Sequence, residues 1–144
     1  MYARAIVLLV LAFATSALAM KEESIAELTA RAQAAPPDHQ AELYVKVAQL
    51  ELKAADDFYN AGKVDDARSA INALSADSEK ATEAATHTHK RLKNTEIDLR
   101  KMSEHLRDLK GTLNYEDQAP VQTVIDHLEA LRTRLLNQMF GKAR

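Results

Sequence analysis

Apolar residues recur along most of this chain at alternating spacings of three and four, the pattern of helices that lie side by side. The longest stretch reads Val64, Ala67, Ile71, Leu74, Ser78, Ala81, Ala85, Thr88, Leu92, Thr95, Leu99, Met102, Leu106, Leu109 and Leu113 with no slip in phase. The 48 residues from Lys63 to Lys110 contain neither Gly nor Pro. This spacing predicts a heptad seam on a single helix over about 63–110, roughly 72 Å long if unbroken. Its middle (Ser78, Ala81, Ala85, Thr88) is small or polar, so either a neighbour approaches closely there or little covers it.

Three shorter segments flank it. A first helix is predicted over about 22–35, with Ser24 and Glu27 at capping-box spacing and Ile25, Leu28 and Ala32 on one face; Pro36-Pro37 stops it. A second runs over about 38–61 with Asp38 as N-cap. Leu43, Val47, Leu50, Ala54 and Phe58 form one stripe on it and Ala48, Leu52, Ala55 and Tyr59 another, and Asn60-Ala61-Gly62 reads as a left-handed stop. A last helix over about 117–140 carries Pro120 in its first turn and a seam of Val121, Val124, Leu128, Leu131 and Leu135. The second and last helices together match the third in length. Short connections at Gly62 and at 111–116 make antiparallel neighbours. The expected fold is therefore all-α, a coiled-coil-like bundle of antiparallel hairpins built on one long central helix, with the first helix on the Ala-rich face of the second. The alternative is a break near Thr86-His87-Thr88-His89 or near Ser75–Asp77, where helix formers are weak, giving a compact four-helix bundle.

Residues 1–19 follow a different rule. Arg4 precedes the apolar run Ala5–Ala14, and Ala17-Leu18-Ala19 supplies a small-x-small cleavage pattern. This is the design of a secretory signal peptide cleaved after Ala19, which leaves 20–144 as a single helical domain; the alternative is an uncleaved membrane anchor, for which the apolar run is short against a span of about 20 residues. The expected location is the periplasm or the extracellular space of a bacterial source. The remaining chain carries a net charge of −3, which gives no footprint for nucleic acid. No Cys is present, so disulfides, thiolate metal sites and a Cys nucleophile are all excluded. Aromatics are 5% and Gly and Pro number three each, a composition that suits long helices rather than strands.

Candidate chemistry is sparse. Ala55, Phe58, Gly62, Val64, Ala67 and Ile71 occupy the small, aromatic, turn and packing positions of a helical hairpin that resembles one tetratricopeptide unit over 55–71. Glu51, Leu74 and Glu79 depart from that pattern, and His89, Glu96 and Lys101 occupy the matching places of an absent second unit. The resemblance implies a protein-binding surface. Among the histidines, His87 and His89 point to different faces, Glu83 and His87 have i, i+4 spacing, and His105 and His127 flank seams on adjacent helices; no metal or cofactor is expected. No phosphate loop or nucleophile motif occurs, and Asp65-Asp66 suit a helix first turn. Residues 20–86 hold 7 basic and 13 acidic groups, residues 87–144 hold 11 and 8. The cluster Lys90, Arg91 and Lys93 suits anionic lipid or an acidic partner, or a charged outer face laced by Lys93–Glu96, Glu96–Arg100 and Arg100–Glu104. The residues singled out for function are the seam itself: Val64, Ile71, Leu74, Leu92, Leu99, Met102, Leu106, Leu109, Leu113, Val124, Leu128, Leu131 and Leu135. The expected role is a non-enzymatic protein-interaction or scaffold protein of the cell envelope acting through self-association or a protein partner; a periplasmic chaperone or stress sensor and a metal-binding bundle are the alternatives.

Overall fold

A computed structural model describes residues 25–141, so the signal-peptide segment and Ser24 lie outside the described residues. Among these residues the chain forms five helices and no strand: α1, already helical at 25 and ending at 34; α2, Pro37–Asn60; α3, Val64–Thr88; α4, Leu92–Gly111; and α5, Tyr115–Phe140. The all-α bundle stands. The continuous central helix does not, because the 63–110 segment divides at His89-Lys90-Arg91 into α3 and α4.

The break has a local and a tertiary cause. Near the end of α3, the hydroxyls of Thr82, Thr86 and Thr88 donate to the carbonyls of Ser78, Thr82 and Ala84 at 2.9, 2.8 and 2.9 Å, back-bonding that weakens a helix. His89 (φ 58°) and Arg91 (φ 59°) then take left-handed backbone. For non-glycine residues this costs about 1–2 kcal/mol each. The compensation is burial. Reversing direction lets the second half of the seam pack against the first, and each fully buried Leu contributes about 1.5–3 kcal/mol. Leu74, Leu99, Leu106, Leu128, Leu131 and Leu135 are all essentially inaccessible, which outweighs two strained residues.

The result is two antiparallel hairpins, α2–α3 and α4–α5, stacked with like helices parallel. Asp38, Glu42 and Asp56 of α2 meet Lys90, Arg91 and His105 at 2.6, 3.7 and 2.7 Å, in the same order along both segments. Arg68 and Glu79 of α3 likewise meet Asp117 and His127 of α5. Glu96 with Arg132 and Lys110 with Gln122 mark the antiparallel α4–α5 pair. One core runs through all four helices, from Leu52 and Ile71 to Met102 and Leu128. Helix α1 lies on the first hairpin, where Ala32 packs with Tyr44, Val45 and Ala81. The small middle of the seam is a place of close approach: Ser78, Ala81 and Ala85 have no exposure at all.

The turns differ in how legible they are. Gly62 (φ 73°) follows α2, the Lys63 N–H donates to the Phe58 carbonyl at 2.8 Å, and the Gly62 N–H donates to the Tyr59 carbonyl at 3.1 Å. This is a Schellman stop, and the left-handed residue in it is the glycine that the sequence offers. Two boundaries move from their expected places. Pro36 rather than Asp38 caps α2, with Pro37 at the first helical position, where its missing N–H goes unneeded. Helix α5 starts at Tyr115, which puts Pro120 inside the helix rather than in its first turn. Glu96 is not part of an outer charged ladder but is buried at 8% exposure against α5.

Candidate functional site

The seam residues face inward. Ile71, Leu74, Leu99, Met102, Leu106, Val124, Leu128, Leu131 and Leu135 are buried in the shared core, and Leu92, Leu109 and Leu113 pack against its edge half-buried. Val64 is half-buried at the start of α3. Folding back at 89–91 thus covers within one chain the apolar surface that a straight rod would have left for a partner.

The charge asymmetry is also met internally. Of the basic cluster, Lys90 pairs with Asp38 at 2.6 Å and Arg91 with Glu42 at 3.7 Å, while Lys93 is exposed. Arg91 and Lys46 hold the Glu42 carboxyl below its ordinary range, the Lys46 hydrogen bond contributing most. Arg134 and His127 both reach Glu79. The acidic first half and the basic second half are therefore the two hairpins, and much of their attraction is spent between them.

The histidines do not converge. His105 turns to Asp56 of α2 and His127 to Glu79 of α3, so the two do not approach each other. His87 and His89 are exposed. Among the described residues no three His, Asp or Glu side chains gather as a metal ligand set.

Two polar groupings lie where the apolar pattern gave no place for them. Between α4 and α5, Arg132 donates to Glu96 at 2.7 and 3.0 Å and to Glu129 at 2.8 and 3.1 Å, and Ser103 and Arg107 also donate to Glu129. Burial alone would raise the Glu129 carboxyl; the hydrogen bonds from Ser103 and Arg132 outweigh it and hold the group below its ordinary range. Between α2 and α3, Glu51 and Asp77 face each other, 8% and 7% exposed. Lys80 reaches Asp77 at 3.7 Å and lies 5.5 Å from the centre of the Tyr44 ring. A signal for this pair exists in the sequence. Glu51 stands four residues from Val47 and four from Ala55, both fully buried, so it interrupts an apolar stripe.

Among the described residues, what remains outward and apolar is small. Leu136 and Phe140, one turn apart on the last two turns of α5, are 38% and 70% exposed, with Met139 half-buried beside them. Thr86 of α3 and Arg134, Asn137 and Gln138 of α5 line a shallow depression between the ends of those two helices. Tyr115, 88% exposed, stands at the opposite end of α5. No helix among the described residues is long and apolar enough to cross a membrane. No protein-family model, curated protein or solved structure matches the chain.

Proposed function

We propose that this protein is an exported, non-enzymatic binding module of the cell envelope that takes a protein partner on the C-terminal turns of α5. The observation that carries this reading is the exposure of Phe140 and Leu136 at one helical turn's spacing. A phenylalanine left 70% open to water, with Leu136 exposed one turn before it, is apolar surface available to a partner. Exposed aromatic side chains are what partner surfaces use as anchors. The seam is an unsuitable docking surface, since its larger side chains are consumed in the core. Export rests on the Arg4, Ala5–Ala14 and Ala17-Leu18-Ala19 pattern. Hairpin stacking with like helices parallel is also an arrangement that builds binding surfaces in helical repeats, although the turn glycines Gly62 and Gly111 stand farther apart than the about 34 residues of a tetratricopeptide unit.

The test is partner recovery with the full-length chain carrying a photo-crosslinking residue at 140, compared with one carrying it at Glu104 on the outer face of α4. A discrete adduct is expected from position 140 and not from 104, and the pair Leu136→Ser with Phe140→Ser is expected to abolish binding while leaving the unfolding temperature unchanged. Adducts of equal yield from both positions, or binding that survives the double substitution, would sink the reading.

A further inference from the structure

Glu51 sits on the inner stripe of α2 between Val47 and Ala55, and Asp77 on the inner face of α3 between Leu74 and Ala81. Both are more than nine-tenths buried. The Glu51 Oε2 atom has no contact with solvent and no donor within reach. Among the described residues the charged groups acting on Glu51 are Asp77 and Lys80, both from α3; none comes from α1, α4 or α5. The Lys80 ammonium lies against Asp77 and over the Tyr44 ring, with its side chain 45% exposed.

One ammonium balances one negative charge, and the site contains two carboxyls. Ionising both would place an uncompensated charge in an apolar interface beside a charge of like sign, which is costly on both counts. Ala48, Ala55, Ser78 and Ala81, which neighbour the pair along the two helices, are fully buried, so the interface there is close-packed. A hydrogen bond between two carboxyls exists only while one of them carries a proton. We propose that Glu51 and Asp77 form a one-proton latch across the α2–α3 interface, which holds the two helices together while the proton is present and loosens them when it leaves.

Burial pushes the Glu51 carboxyl up to about 9, and the hydrogen bond to Asp77 and the charge of Asp77 push the same way, with Lys80 opposing. The folded chain therefore keeps a proton that the unfolded chain releases near 4.5. The stability from the latch is complete below that value and is lost as pH rises towards the folded value. A one-proton difference changes the unfolding constant by about tenfold per pH unit within that window.

Carboxyl carbon-13 resonances of the full-length chain, with Glu51 assigned through its own backbone, measure the proton directly. A Glu51 midpoint above about pH 7 is expected; one in the ordinary range near 4.5 overturns the latch. Glu51→Gln puts a permanent N–H donor where the proton was. Between about pH 6 and pH 8 the unfolding constant of the native chain is expected to rise about a hundredfold more than that of Glu51→Gln. At about pH 8, amides in 48–55 and 74–81 should exchange at least about tenfold faster in the native chain than in the variant. Parallel pH profiles, or equal exchange in those segments, overturn it. The carboxyl titration decides the question by itself should the variant fail to fold.

Discussion

At the scale of single residues, the polar groups inside this bundle divide into those that are fully partnered and those that are not. Arg132 belongs to the first kind. It is 18% exposed and bonded to two carboxylates on two helices. Removing one member of such a grouping strands the others, which costs about 3–5 kcal/mol, whereas replacing the members together by apolar residues of similar size is often neutral. Arg132→Met is therefore expected to lower stability by about 3 kcal/mol, and Arg132→Met with Glu96→Met and Glu129→Met to recover most of it, as read from denaturant midpoints. The two carboxyls with opposite shifts also give opposite pH effects. Glu129, held low, contributes stability above its ordinary value that is lost as pH falls through its folded value; Glu51, held high, contributes stability that is lost as pH rises.

At the scale of elements, everything turns on three residues. The heptad phase crosses 89–91 without a slip, so the local pattern is satisfied equally by one helix or by two. His89 and Arg91 pay for the reversal with left-handed backbone and no glycine to ease it. Replacing His89, Lys90 and Arg91 together by Ala should tip the balance towards a continuous helix, which also removes the pairs to Asp38 and Glu42. The opened hairpins would then re-form the same core with a second copy, the usual outcome when a connection is straightened. Sedimentation of that triple variant is expected to show a dimer with undiminished helix content. A monomer with the native melting profile would mean that the reversal is set by core packing regardless of the connection.

At the scale of the whole molecule, the core is shared rather than divided between hairpins. Leu74 of α3 and Leu99 and Leu128 of the second hairpin belong to one cluster. Neither hairpin can lose its neighbour without exposing that cluster, so unfolding should be a single transition. Leu74→Ala, in a chain carrying Tyr115→Phe, is expected to cost about 2–5 kcal/mol and to shift the midpoints seen by helix content and by tyrosine emission equally, since Tyr44 and Tyr59 then report on the first hairpin and helix content on all. Separated midpoints would show that the hairpins fold as independent units.

The spacing of apolar residues alone determined that the chain is helical, which faces turn inward and where Gly62 ends α2. Each is a local matter: periodicity assigns a face, and a glycine admits a backbone conformation that few other residues accept. The weak helix formers at Thr86–His89 marked one of two places where a break could fall; tertiary structure decided between break and continuity, and also the burial of Glu51, Asp77 and Glu96 and the pairing of the acidic half with the basic one. These depend on free energy gained between segments far apart in the sequence, and a seam reads the same whether its cover arrives from another helix of the chain or from another molecule. The apolar remnant at Leu136 and Phe140 belongs with them, because Leu136 directly follows the seam residue Leu135 and whether another helix covers it is known only when the neighbours have been placed.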